Sequence, residues 1–225
     1  MGFDSPNCRY SDEELKTKLI MKLLIPIKND GLANLRADDI AKYMDLSKAT
    51  MYKYFESKDD VIEHFVNFFI KLFDVSPALD KTSGSYQERY HVVFKKMLMV
   101  ANYGSEVFRR DLRALYPELM ERLHAAWLAR NVALHDFYEQ GMKDGVFVRA
   151  NVELLIMQDE LCFAKLGDAS ALIARNLTCK QAMLDYYEMR VHQLFAPESR
   201  PNVIHDEATL AMLNVLSQKL TSMMM

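Results

Sequence analysis

The stretch DDIAKYMDLSKATMYKYFESKDDVI, residues 38–62, sets four lysines and three tyrosines among apolar residues at helical spacing. Ile40, Ala41 and Met44 recur three and four residues apart, as on one side of a short helix. Asp45 interrupts that pattern, and Asp tolerates a left-handed turn better than most residues. Ser47 restarts a helix as its N-cap. At 100° per residue, Met51 and Phe55 then share a face that anchors this second helix. Lys48, Ala49, Tyr52 and Lys53 fall on the opposite half, with Thr50 beside them. Two short helices across a tight turn make a helix-turn-helix, the unit that lays its second helix in the major groove of DNA. Its first residues meet base edges, while lysines and hydroxyls hold phosphates. Lys58, at the start of the following helix, is placed where exposed amides and positive charge also suit a phosphate. The pattern fits a solvated lysine-rich face equally well, because Asp38, Asp39, Asp45 and Glu56 nearly cancel the positive charge.

The flanking segments extend the helical pattern. Upstream, Ser11 followed by Glu14 reads as a capping box that opens a helix through Leu15, Leu19, Leu23 and Ile27. Pro26 lies inside it and removes a backbone donor, which predicts a kink near its end; Asn29-Asp30-Gly31 supplies the stop. Downstream, Ser57 caps a helix through Val61, Ile62, Phe65, Phe69, Leu72 and Phe73. Asp59 and Asp60 suit its dipole, and Ser76-Pro77 ends it.

These residues resemble the helix-turn-helix signature of the TetR family of transcriptional regulators. Ile40-Ala41, Leu46-Ser47, Thr50-Met51-Tyr52, Phe55 and Ser57-Lys58 occupy matching places, over about residues 19–66. A weaker echo, FYEQGMKDGVFVRAN at 137–151, resembles the family's loop between its seventh and eighth helices. The resemblance implies an N-terminal three-helix DNA-binding domain, residues 1–56, with a connecting helix over 57–75. A larger helical ligand-binding and dimerisation domain, residues 76–225, then follows. It implies that Lys48, Ala49, Thr50, Tyr52 and Tyr54 touch bases or backbone of a double-stranded operator, and that Lys53 and Lys58 bind phosphates. The helical wheel puts Tyr54 nearer the buried side. Three positions depart from the family pattern. Asp45 replaces the turn Gly, Arg36 stands where a Thr usually caps the second helix, and Pro26 is unusual in the first. Arg36 adds a possible phosphate contact.

From Ser85 onward, five segments carry apolar residues at three- and four-residue spacing, and no alternating strand pattern competes. The fold class expected is all-α. By the resemblance, helices over about 151–175 and 178–196 form a homodimer's four-helix bundle, with Leu155, Cys162, Leu166 and Ala169 near one side. Such periodicity suits an ordinary core as well. A further amphipathic helix is expected over 206–222. A small-molecule pocket is expected among the middle helices, where Phe94, Met97, Tyr103, Phe108, Trp127 and Phe163 suggest a mainly apolar effector. Asn131, His124 and His135 offer polar contacts. The helix from Ser57 to Phe73, joining reader to sensor, is the natural lever between them.

Composition bounds these readings. Half of the 225 residues are hydrophobic, and 7 Gly and 6 Pro leave room for long helices. A net charge of −3 argues against a diffusely basic nucleic-acid coat but leaves a local basic face possible. Cys8, Cys162 and Cys179 form no C-x-x-C pair, so neither a disulfide framework nor a zinc ribbon is expected. The first eighteen residues are polar where a secretory leader is apolar, and no apolar run approaches the ~18 residues of a membrane span. A reduced, cytoplasmic protein without cofactor or metal is expected. Enzyme fingerprints are missing: no G-x-S-x-G, H-E-x-x-H, P-loop or dinucleotide motif occurs. The pairs Asp38-Asp39, Asp59-Asp60 and Asp159-Glu160 read as caps or solvated positions. A ligand-responsive repressor is the expectation; a helical small-molecule-binding or interaction protein with weak DNA affinity is the alternative.

Overall fold

The computed structural model describes residues 12–101 and 105–200, together with 211, 214, 217 and 218. The expected helix over 206–222 falls for the most part outside these residues, as do Ser11 and Tyr103. The described residues are helical, without a strand. The helices are α1 (Glu13–Met21), α2 (Leu24–Asp30), α3 (Ala37–Tyr43), α4 (Lys48–Tyr54), α5 (Lys58–Phe73), α6 (Ser76–Leu79) and α7 (Tyr86–Ala101). They continue with α8 (Glu106–Leu115), α9 (Pro117–Lys143), α10 (Val152–Leu166), α11 (Ala169–Ile173) and α12 (Cys179–Leu194). Short 3₁₀ turns occur at Lys81–Ser83 and Pro197–Ser199. No described helix is long and apolar enough to cross a membrane.

The described residues up to Lys71, together with 105–126, form one compact unit; Leu72–Ala101 and the residues from Trp127 onward form a second. The divisions fall within α5 and within α9.

In the first unit, Asp12 caps α1, its Oδ1 accepting the amides of Glu14 at 2.9 Å and Leu15 at 3.3 Å. The effect of Pro26 is larger than a kink near the helix end. Its ring cannot coexist with an α-helical carbonyl four residues earlier, at Lys22. The helix therefore breaks at Lys22-Leu23, where the bonds tighten to Lys22 N to Leu19 O and Leu23 N to Ile20 O. Gly31, at φ +74°, closes α2 and donates its amide to Ile27 O at 3.0 Å. At the start of α3, the guanidinium of Arg36 has no acceptor with which to cap. Only the reverse bond forms, from Arg36 N to Asp39 Oδ2 at 3.1 Å. The end of α3 is a Schellman motif: Leu46 N donates to Ala41 O and Asp45 N to Lys42 O. Asp45 takes the left-handed position usually held by Gly, at φ +56°. Lys22, at the α1–α2 break, reaches across to it, donating to Asp45 Oδ2 at 2.8 Å and Met44 O at 3.1 Å. The unit's core gathers Leu23, Ile27, Ile40, Met44, Met51, Phe55, Val61 and Phe65. Phe108 of α8 packs edge-on to Phe65, with ring centroids 5.6 Å apart.

The second unit is built around α7, α9, α10 and α12. α5 stops at Phe73, and Ser76-Pro77 opens α6 where only a stop was expected. After α9 the chain folds back so tightly that a Cβ on Gly141 would lie 2.1 Å from the Phe147 ring. The expected helix over 151–175 is two pieces. α10 ends at Leu166, and Asp168 caps α11, its Oδ1 accepting Ala171 N at 3.2 Å and the Ser170 hydroxyl at 2.6 Å. An Asp there competes with helical bonding for the backbone amides that follow. The core is aromatic, with Phe94 set edge-on to Phe163 at 5.0 Å and to Tyr187 at 4.8 Å.

Candidate functional site

α4 is fixed from both ends. Ser47 Oγ accepts Thr50 N at 3.1 Å, and the Ser47 and Thr50 hydroxyls are 2.8 Å apart. Met51 and Phe55 are fully inside and clamp the helix to the core. Lys48, Ala49, Tyr52 and Lys53 consequently lie exposed together, with Thr50 half-exposed at their edge. This face carries two cations, hydroxyls of both types and one small residue, which suits close approach to a duplex. Tyr54 does not join it. Its side chain is 9 % exposed and lies inward beside Met51, its ring centroid 6.5 Å from that of Phe55.

The cations are not bare. Lys48 Nζ lies 3.1 Å from Asp38 Oδ2 on α3. Lys58 is half-exposed at the start of α5, where neighbouring polar groups are already engaged. Asp60 N donates to Ser57 Oγ, Asp60 Oδ2 accepts Glu56 N, and Asp59 Oδ1 accepts the Tyr116 hydroxyl at 2.7 Å. A phosphate approaching Lys58 meets two carboxylates in the same turn.

The residues expected to line an effector pocket do not all gather. Phe94, Met97 and Phe163 are buried in the core of the second unit, whereas Phe108 belongs to the core of the first. Trp127 and Asn131 are half-buried around Arg130. Arg130 sits over the Phe73 ring at 5.2 Å and pairs with Glu160, while Asn131 Oδ1 accepts Arg130 Nη2 at 2.8 Å. Trp127 Nε1 donates to the same Glu160 carboxylate at 3.0 Å. His124 is exposed and His135 half-exposed.

Sequence reasoning missed the most deeply buried charges. Asp159, read as solvated, is 1 % exposed and holds Arg190, at 0 %, in a bidentate pair of 2.7 and 3.0 Å. The Tyr186 hydroxyl donates to Asp159 Oδ1 at 2.7 Å. The usable signal was spacing, because Asp159 falls on the helical face of Leu155, Ile156 and Phe163. Burial pushes the Asp159 carboxyl up, against the pull of the Arg190 guanidinium. Burial also raises the phenols of Tyr90, Tyr138 and Tyr186, so all three stay neutral. The hydroxyls of Tyr90 and Tyr138 are buried without a hydrogen-bond partner among the described residues.

Two further features complete the surface. Leu154, Met157 and Leu161 form an exposed apolar stripe along α10, at 60, 53 and 65 %, and Met189 of α12 is exposed as well. Among the described residues, no group of three or more His, Cys, Asp or Glu could hold a metal ion.

Residues 27–65 match the family model described as bacterial regulatory proteins, tetR family. No curated protein matches the chain. Among solved structures, the ketosteroid transcriptional regulator KstR2 of Mycobacterium tuberculosis superposes with a TM-score of 0.56 at 16 % identity, covering 80 % of this chain and 95 % of that one. A transcriptional regulator from Saccharomonospora viridis in complex with choline gives 0.54 at 18 % identity, covering 82 % and 100 %. A TetR transcriptional regulator from Chloroflexus aurantiacus gives 0.52 at 14 % identity, covering 82 % and 98 %. At such identities the likeness is one of fold.

Proposed function

The chain is a TetR-family regulator, and from that premise we propose that it binds an inverted-repeat operator as a homodimer and releases it on binding a small, mainly apolar effector. The observation that carries the reading is the exposed face of α4, where Lys48, Ala49, Tyr52 and Lys53 stand clear of a fully buried Met51–Phe55 anchor. A helix so held fits the major groove, with Lys48, Ala49, Thr50 and Tyr52 toward the bases and Lys53 and Lys58 toward phosphates. Tyr54 serves from within, by setting the angle of the helix.

Homodimerisation is supported by the apolar stripe of α10 and by Met189 of α12, which a lone chain would leave in water. A dimer presents two copies of α4 to half-sites about 34–36 Å apart, or a multiple of a helical turn. An effector favouring a different spacing weakens operator binding, and the operator weakens effector binding by the same factor. Repression is the sense proposed, in the cytoplasm, by a regulator and not an enzyme. The aromatic interior of the second unit supports an effector with an apolar body, and the buried Tyr90 and Tyr138 hydroxyls suit one polar head group.

The test is selection of bound sites from a random duplex library at physiological salt, with Lys48→Ala and Tyr52→Ala as controls. Enrichment of an inverted repeat, lost in both variants, is the expected result. A folded dimer that enriches nothing would favour a helical binding protein without operator recognition.

A further inference from the structure

Asp111 lies on α8, remote in sequence from the helix-turn-helix, yet it touches the loop that enters it. Asp111 Oδ2 accepts the backbone amides of Leu32 at 2.8 Å and Ala33 at 3.0 Å, the residues that follow the Gly31 closing α2. Its Oδ1 accepts Arg110 Nε at 3.1 Å and Nη2 at 2.9 Å, so both oxygens are satisfied in a residue only 5 % exposed. An independent observation shows how close the approach is. A Cβ on Gly31 would lie 2.2 Å from Asp111 Oδ2 and 2.7 Å from Val107 Cγ1, so α8 seats against this loop only because residue 31 is glycine.

The same segment grips the far side of the reading helices. Phe108 packs against Phe65 at 5.6 Å and Phe69 at 5.9 Å, both on α5. Tyr116 donates its hydroxyl to Asp59 at 2.7 Å, and Arg122 donates to Glu63 at 2.8 Å and Asn67 at 2.6 Å. The pair α3–α4 is thus held at both of its chain ends, through the loop at 31–35 and through α5, by one bracket of residues 105–126.

We infer that Asp111 is a positioning residue for operator binding: through the Leu32 and Ala33 amides it sets the attitude in which α3 and α4 meet DNA. Residues 105–126 are therefore part of the DNA-reading machinery, acting through the loop at 31–35 and α5. The inference rests on the operator-binding reading above.

The experiment uses the full chain and the inverted-repeat duplex recovered by selection with the wild-type protein. Asp111→Ala lowers affinity for that duplex about tenfold or more, about 1.4 kcal/mol. Helix content, dimer mass and the salt slope of binding stay as in the wild type, because no phosphate contact is removed. Asp111→Asn, which keeps one acceptor, falls between the two. Wild-type operator affinity in a folded Asp111→Ala protein would overturn the inference and leave Asp111 a loop clasp alone. Should both variants fail to fold, amide exchange at Leu32 and Ala33 in the wild type decides: slowing on duplex binding supports the inference, and unchanged exchange overturns it. A wild-type protein that selects no duplex would instead defeat the underlying functional reading, a distinguishable outcome.

Discussion

Lys48 Nζ, on the exposed face of α4, lies 3.1 Å from Asp38 Oδ2 on α3, so the cation best placed for DNA is already matched by a carboxylate of its own chain. The pair is well exposed on both sides and holds Lys48 only weakly, by about 0–1 kcal/mol. An approaching duplex must draw Lys48 away from Asp38 and bring its phosphates near that negative charge. Asp38→Asn therefore strengthens binding to random duplex, by up to about fivefold at low salt, and narrows the gap between operator and random sequence. Fluorescence anisotropy titrations on both duplexes at two ionic strengths measure this directly. Unchanged random-duplex affinity would mean that the Asp38 charge does not oppose the duplex.

Arg36 and Asp45 mark the two ends of α3 with residues that local physics disfavours. Arg36→Thr supplies the side-chain acceptor that the helix start lacks and stabilises the fold by about 1 kcal/mol. Asp45→Gly relieves a left-handed residue, against which it loses the exposed Lys22 pair; a net gain below about 1 kcal/mol is expected. Chemical denaturation of each variant at neutral pH gives both numbers. If Arg36 also meets a phosphate, Arg36→Thr combines the gain in stability with a weaker operator complex.

Residues 38–62 carried most of the legible fold because their constraints are local. Ser47 and Ser57 cap the helices that follow them, and Asp45 takes the left-handed turn, each governed by neighbours within four positions. Pro26 was legible in kind but not in reach: its clash lies at Lys22, so the break falls a full turn earlier than expected. Asp159 was misread for the opposite reason. The face it shares with Leu155, Ile156 and Phe163 marks it as inward, but its partner Arg190 is 31 positions away and no local pattern names it. Phe108 and Asp111 fail in the same way. Periodicity shows that α8 has an inner face, but not that Phe65, Phe69 and the amides at Leu32 and Ala33 are what that face meets.

The Asp111 clasp has a pH signature. Burial pushes its carboxyl up, but the Ala33 amide, the Arg110 guanidinium and the Leu32 amide outweigh that and hold it below the usual carboxylate range. A folded-state value below that of the unfolded chain means stabilisation that is complete above about pH 4 and lost as pH falls through the folded value. Asp111→Asn removes this dependence. The stability difference between wild type and variant, from denaturant midpoints, is then largest at pH 5–7 and shrinks below about pH 4. A difference independent of pH would show that the amide contacts do not need the charge.

The buried pair in the second unit gives a contrast between two neighbouring changes. Asp159→Asn leaves Arg190 charged and without its counter-ion in the core, and breaking a buried pair by one partner costs about 3–5 kcal/mol. Tyr138→Phe removes a buried hydroxyl that has no hydrogen-bond partner among the described residues, and it changes stability by less than about 1 kcal/mol. Thermal and urea unfolding followed by circular dichroism separate the two. If the Tyr138 hydroxyl reads an effector's polar head, Tyr138→Phe leaves the free protein intact and weakens only the response of operator binding to that effector.

The apolar stripe of α10 makes the assembly testable without knowledge of any ligand. Leu154, Met157 and Leu161 recur along one exposed line of the helix, while Leu155, Ile156 and Phe163 fill the core behind it. Replacing Leu154 and Leu161 together by Lys leaves that core untouched, so a folded protein is expected. Two cations per chain across a two-fold interface bring four like charges together, and the dimer dissociates to monomer at micromolar concentration. Sedimentation equilibrium reads the mass. A monomer meets one half-site at a time, so affinity for the inverted repeat falls to about that for a single half-site. If mass and operator affinity both stay as in the wild type, the interface lies on another face, and the stripe is available to a different partner.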